Sequence, residues 1–264
     1  MGEEFKFKLK CRCKWGRADH GALLGNGGAC GGGGAGGGWG MIRAILFDAA
    51  GTLIYLPKGV GWHYREVMAR HGMVVEEGSL GGAFAAAFRG AAPRVASGVA
   101  REDDDKLWWR AVVREVVRAC GEEPGDGVFE GMFEELYRRF EEPGVWALYP
   151  EVMGVLEALH GRYKLGVASN FDRRLHAVLG HLEVRRFFET VTLSSEVGAD
   201  KPDERVFAAA LLAMGVTAGE AVHAGDEPVQ DWEGAETAGL HVYRVERPGR
   251  GLEGLVGWVD RLGG

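Results

Sequence analysis

Between residues 150 and 245, short apolar runs alternate with amphipathic stretches of about ten residues, and that rhythm leaves few folds open. The runs over 163–170, 190–194, 221–225 and 240–245 read as strands, and 151–161, 172–182, 203–214 and 230–238 read as helices. Strands and helices in strict alternation build a parallel sheet wrapped in helices. Right-handed crossovers then put every strand's carboxyl end on one rim, where such sheets bind ligands. The expected class is α/β with a Rossmann-like core.

One more apolar run belongs to that sheet. Ala44-Ile45-Leu46-Phe47 ends on Asp48 and is followed at once by Ala49-Ala50-Gly51-Thr52. A buried strand thus delivers a carboxylate to the rim and turns sharply away. Between this strand and residue 150 the pattern becomes helical. Met132, Phe133, Leu136, Tyr137 and Phe140 make one stripe, and Leu107, Trp108, Ala111, Val112, Val116 and Cys120 another. Two further helices fit 61–71 and 76–91. Asp103, Asp104 and Asp105 are placed to favour the positive end of the 107–120 helix. Packing is the expected role of Phe84, Trp108 and Trp109. After residue 246, Leu252, Leu255, Val256, Val259 and Leu262 form a last helical stripe, expected to pack on the core.

Residues 1–40 differ from the rest. They contain 14 glycines and six Lys/Arg against three Asp/Glu, whereas 41–264 carry 25 against 35. So glycine-rich a segment cannot offset its ordering entropy, and disorder is expected for 1–40; Met41, directly before the first strand, would make a natural start. The acidic body argues against nucleic acid as a partner. No apolar run approaches the roughly 20 residues of a membrane span. Cys11, Cys13 and Cys30 lie in the tail and only Cys120 in the body, so no disulfide framework or zinc spacing emerges and a cytoplasmic setting is expected.

Each strand end carries a reactive side chain. Asp48 ends the first, Ser169-Asn170 the next, and Lys201-Pro202 follows the third. Gly225-Asp226 ends the fourth, with Asp231 five residues on. Singly these are common turn and capping residues. In order and on one rim they suit phosphoryl transfer. Asp48 can attack phosphorus and form an aspartyl phosphate. Asp48, Asp226 and the Ala50 carbonyl can hold Mg²⁺, and Asp231 can bind a metal water or orient Lys201. Ser169 can donate to phosphoryl oxygens, and Lys201 supplies fixed positive charge.

These residues resemble the haloacid dehalogenase (HAD) superfamily of aspartate-nucleophile hydrolases, over residues 41–246. Asp48-Ala49-Ala50-Gly51-Thr52 matches that family's Asp-x-Asp-Gly-Thr except at Ala50. Ser169-Asn170, Lys201-Pro202 and Gly225-Asp226 with Asp231 match its other three motifs, and the run 169–175 resembles one subgroup whose substrate is poorly defined. The resemblance implies a HAD core over 41–56 and 147–264 with an inserted helical, C1-type cap over 57–146. It implies catalytic Asp48, Ser169 and Lys201, substrate-binding Thr52 and Asn170, and metal-binding Asp48, Ala50, Asp226 and Asp231. The implied activity is Mg²⁺-dependent phosphatase action on a small phosphorylated molecule.

Alanine at position 50 keeps other readings open. The family's second Asp protonates the leaving group and then activates water, a contribution of roughly 10²–10⁴-fold. Asp172 and His63 are candidate substitutes. A phosphonatase-like C–P hydrolase also resembles Asp-x-Ala-Gly-Thr and needs a cap lysine. Only Lys58 and Lys106 stand in 57–146, and the three aspartates before Lys106 disfavour a free amine there. Dehalogenation needs no metal, yet Asp226 and Asp231 are retained. The last reading is a catalytically reduced protein that binds phosphate and Mg²⁺ without turnover.

Overall fold

The computed structural model describes residues 41–262. The glycine-rich tail expected to be disordered, with Cys11, Cys13 and Cys30, lies outside the described residues.

In chain order, β1 (Ala44–Phe47) and the short β2 (Ile54–Tyr55) precede four helices, α1 (Gly59–Arg70), α2 (Glu77–Gly90), α3 (Lys106–Ala119) and α4 (Asp126–Arg139). Then come β3 (Ala147–Leu148), α5 (Val152–Leu159), β4 (Lys164–Ser169), α6 (Arg174–His181), β5 (Thr190–Leu193) and α7 (Ser194–Val197). The chain closes with α8 (Glu204–Met214), β6 (Ala221–Gly225), α9 (Gly234–Thr237), β7 (His241–Arg244) and α10 (Leu255–Leu262).

Five strands form a parallel sheet in the order β5-β4-β1-β6-β7. β1 is central and buried along its whole length, as its unbroken apolar run requires. Phe47 is in register with Val167 on one side and Ala224 on the other. The residues just past these strands therefore share one rim. The strand order departs in opposite directions on either side of β1, which opens a crevice at that rim. Ile45, Phe47, Leu165, Val167 and Val222 pack with α5 and α6, while Leu46, Ala44 and Ala221 pack with Phe207, Ala210 and Met214 of α8.

The helical insertion has its own core. Val60, Tyr64 and Met68 of α1 meet Leu80 of α2, Val116 of α3 and Phe129, Phe133 and Leu136 of α4. Its two ends are joined by β2 and β3, an antiparallel pair in which Ile54 faces Leu148. Two-residue strands carry no periodicity, so the sequence does not announce them. Among the described residues no helix is long and apolar enough to cross a membrane.

The aspartates before α3 do something other than expected. Only Asp103 caps the helix, its carboxylate accepting from Leu107 N–H at 3.0 Å. Asp104 accepts from the Ser195 hydroxyl at 2.6 Å and from Arg173 N–H at 2.9 Å. Asp105 accepts from Arg94 and Arg101, which also reach Asp200. Asp104 ties the insertion to the sheet directly, and Asp105 does so through the two arginines that reach Asp200.

Candidate functional site

Asp48 leaves β1 with its N–H donated to Ala224 O at 2.9 Å, so the central strand ladder extends to the candidate nucleophile. Its Oδ1 accepts from Ser169 Oγ at 3.0 Å and from Lys201 Nζ at 2.8 Å. Among the described residues its Oδ2 has no hydrogen-bond donor. Burial pushes the Asp48 carboxyl up against the pull of Lys201.

Lys201 also donates to Asp231 Oδ1 at 2.5 Å, and only 2% of it is exposed. Burial alone would favour a neutral amine, but Asp231 and Asp48 outweigh it and hold the ammonium charged. Asp231 sits on a π-helical turn, Pro228–Glu233, whose wide backbone brings its carboxylate back onto Glu227 N–H at 2.9 Å. Burial opposes its charge, yet Lys201 and His223 keep its carboxyl well below the usual range. His223 is fully buried in β6, and burial lowers its pKa; its Nε2 lies 2.9 Å from Asp231 Oδ1.

Asp226 follows β6. Burial, then Asp48 and Asp231, push its carboxyl well above the ordinary value. Ligand oxygens of Asp48, Asp226 and Asp231 all lie within 4.8 Å of one another. Three clustered carboxylates, only two of which Lys201 pairs, leave an excess of negative charge at the rim. An all-oxygen donor set of that charge suits a hard divalent cation, so these residues fit Mg²⁺.

Two expected substrate contacts hold the site together. Thr52 is completely buried, and its hydroxyl donates to Asp226 Oδ1 at 3.1 Å; it supports the carboxylate from beneath and does not reach the cavity wall. Asn170 lines the cavity, but its amide clamps the backbone of Lys201, accepting from Lys201 N–H at 2.6 Å and donating to its carbonyl at 2.9 Å. Ala50 lines the cavity beside Asp48.

The candidate substitutes for the absent acid are engaged elsewhere. Asp172 is buried, bound twice by Arg174 at 2.8 and 2.6 Å and once by Trp109 Nε1 at 2.8 Å. His63 is enclosed between Trp62 and Phe140, and burial holds its pKa down to about 4. Neither lines the cavity. Of the cap lysines, Lys106 pairs with Glu134, while Lys58 lines the cavity with its ammonium 3.8 Å from the centre of the Trp62 ring.

Sequence reasoning missed Arg247. It donates to Gly51 O at 3.2 Å and Thr52 O at 3.0 Å, pairs with Glu151 and stacks on Tyr149. It thereby fixes the turn that follows Asp48 from 196 positions away, and no local pattern signals that. His223 was missed too; a lone imidazole in the apolar run of β6 was the available signal.

Above the rim lies a cavity of 1610 Å³. Its floor is Asp48, Ser169, Lys201, Asp226 and Asp231, and its far wall is Phe84 and Phe88 of α2, Trp108 and Trp109 of α3, Phe140 and Trp146. Phe84 is buried in the helical core as expected, whereas both tryptophans pack on that core and also face the cavity.

The haloacid dehalogenase-like hydrolase family model matches residues 42–239. The chain is 34% identical over 206 residues to a mouse protein named haloacid dehalogenase-like hydrolase domain-containing protein 3, covering 77% of this chain and 82% of that one. It is 36% identical over 101 residues to glyceraldehyde 3-phosphate phosphatase of Methanopyrus kandleri, covering 38% of this chain and 43% of that one. Among solved structures, the defluorinating L-2-haloacid dehalogenase Rha0230 superposes with a TM-score of 0.66 at 23% identity, over 78% of this chain and 82% of that one. That likeness is one of fold.

Proposed function

The chain belongs to the haloacid dehalogenase-like hydrolase family, and from that premise we propose that it is a Mg²⁺-dependent phosphatase acting on a small phosphorylated molecule. Residues 41–56 and 147–264 serve as the core domain, 57–146 as the cap domain, and the setting is cytoplasmic. The observation that carries the reading is the cluster of Asp48, Asp226 and Asp231, of which Asp48 and Asp231 share the buried Lys201. A relative named as a phosphatase supports it.

Asp48, Asp226 and Asp231 would hold the cation, and the Ala50 carbonyl would offer it a further oxygen. Mg²⁺, when bound, offsets charge on the phosphoryl oxygens. Ser169 and Lys201 fix Asp48 Oδ1, leaving Oδ2 to attack phosphorus. The bond from phosphorus to the leaving oxygen breaks, and that oxygen keeps the electron pair. Water then attacks the phosphorus of the phosphoaspartate, loses its proton to solvent and frees both Asp48 and inorganic phosphate. Asn170 holds the Lys201 backbone, and the cap excludes water from the first step.

Ala50 offers no proton to the leaving group, and this favours a second reading, a protein that binds phosphate and Mg²⁺ without turnover. Phosphate release from acetyl phosphate and p-nitrophenyl phosphate, with Mg²⁺ or EDTA, separates the two. The phosphatase reading expects Mg²⁺-dependent turnover that Asp48→Asn abolishes. Silence from the native protein with activity in Ala50→Asp would replace it with the binding reading.

A further inference from the structure

We propose that the cap wall of the cavity is an aryl site and that the substrates are aryl phosphate monoesters, a conclusion whose leaving-group half rests on the phosphatase reading above. Two separate observations meet here, one on the cap and one on the rim.

The first is the wall itself. Phe88, Trp108, Trp109, Phe140 and Trp146 sit inside the fold yet stay only partly buried, and each lines the cavity. Their polar atoms are spent on the protein. Trp108 Nε1 donates to Ala92 O, Trp109 Nε1 to Asp172 Oδ2 and Trp146 Nε1 to Phe140 O, each at 2.8 Å. Of the cations beside them, Arg94 pairs with Asp105 and Asp200, and Arg174 with Asp172, while Arg89 and Lys58 also line the cavity. The faces of these five rings therefore present carbon to the cavity and no donor of their own. A sugar or polyol would lose water there and gain no hydrogen bonds. A flat aromatic group matches it, because rings meet rings edge-on or offset, as Phe88 already meets Trp108 at 5.5 Å between centroids.

The second observation is Ala50 beside Asp48. Without a proton donor the leaving oxygen must depart as an anion. A phenol ionises near ~10, whereas an alkoxide is about as basic as hydroxide, whose parent water ionises near ~15.7. A phenolate leaves where an alkoxide does not. The ring the cap accommodates and the leaving group the rim tolerates are thus the same chemical class.

The test compares kcat/KM for 1-naphthyl phosphate, 3-phenylpropyl phosphate and acetyl phosphate with Mg²⁺. The second has apolar bulk and a ring but a poor leaving group; the third has a good leaving group and no ring. We expect naphthyl phosphate to exceed phenylpropyl phosphate by at least about tenfold and its KM to lie at least about tenfold below that of acetyl phosphate, the scale of discrimination an apolar pocket supplies. Phe88→Leu should lower the ratio of naphthyl to acetyl phosphate by a similar factor. Ala50→Asp should raise phenylpropyl phosphate turnover more than naphthyl. Turnover of both acetyl and naphthyl phosphate with no KM advantage for the naphthyl ester would overturn the aryl site and leave the phosphatase reading intact. If no ester turns over, the phosphatase reading fails and calorimetric binding with Mg²⁺ decides the aryl site. Naphthylphosphonate binding at least about tenfold tighter than methylphosphonate supports it; equal affinity overturns it.

Discussion

Lys201 Nζ donates to Asp48 Oδ1 at 2.8 Å across 153 positions of sequence, and both side chains are nearly closed to solvent. The ammonium also binds Asp231, so one charge balances two carboxylates that would otherwise face each other in a poorly hydrated pocket.

Lys201→Met keeps the length and removes the charge. Breaking a buried ion pair from one side costs about 3–5 kcal/mol, because the remaining charges are left unbalanced. Urea unfolding at pH 7 should show a loss of that size, and phosphate release should vanish. Mg²⁺ should raise the unfolding midpoint of the variant more than that of the native protein, since it supplies charge where the lysine is missing.

Gly51 is required by its surroundings. Its φ is +94°, and a Cβ there would stand 2.4 Å from Asp226 Oδ2. Gly51→Ala combines left-handed strain of about 1–3 kcal/mol with displacement of that carboxylate. Titration calorimetry should find weaker Mg²⁺ binding, and thermal unfolding a lower midpoint.

The strap at residues 94–101 is held as closely. Gly198 has a φ of +70°, and a Cβ on it would overlap Val99 O at 1.9 Å. Gly98 N–H donates to Gly198 O at 3.0 Å, and Arg101 N–H to Ser195 O at 2.7 Å. Gly198→Ala should therefore lift this strap. Limited proteolysis should cut the variant between residues 94 and 101 at least about tenfold faster than the native protein, a shift of roughly 1.4 kcal/mol in the local opening equilibrium.

The rim was legible because its groups follow strands whose apolar runs are themselves legible. Asp48, Ser169 and Asp226 stand at the ends of β1, β4 and β6, and parallel topology alone brings such ends together. Lys201 needed more, since its backbone is placed by Asn170 and its charge by two carboxylates. Arg247, Arg94 and Arg101 were not legible, because their partners are fixed by tertiary distance and no spacing announces them. Asp104 and Asp105 misled for a related reason: a carboxylate near a helix start gains little from the dipole, and a hydroxyl and a backbone N–H hold Asp104, and two guanidinium groups Asp105, more strongly.

His63 gives a pH test that avoids the candidate metal cluster. It is 2% exposed, its Nε2 has no hydrogen-bond partner among the described residues, and burial, then the charges of Arg139 and Lys58, hold its pKa near 4 against an ordinary 6.5. Above pH 6.5 neither the folded nor the unfolded chain protonates it, and it contributes no pH dependence. Between 6.5 and 4 the unfolded chain binds a proton that the folded chain refuses, so acid destabilises the fold, by at most about 1.4 kcal/mol per pH unit for one proton. Below 4 both bind it and the penalty stops growing. His63→Phe keeps the ring between Trp62 and Phe140 and removes both the titration and the orphaned nitrogen. Guanidinium unfolding should find the variant at least as stable as the native protein at pH 7.5. Its advantage should widen as pH falls through 6 to 5. A difference that stays constant over that range would mean the folded protein accepts the proton at His63 as readily as the unfolded chain does, contrary to an imidazole held neutral by burial.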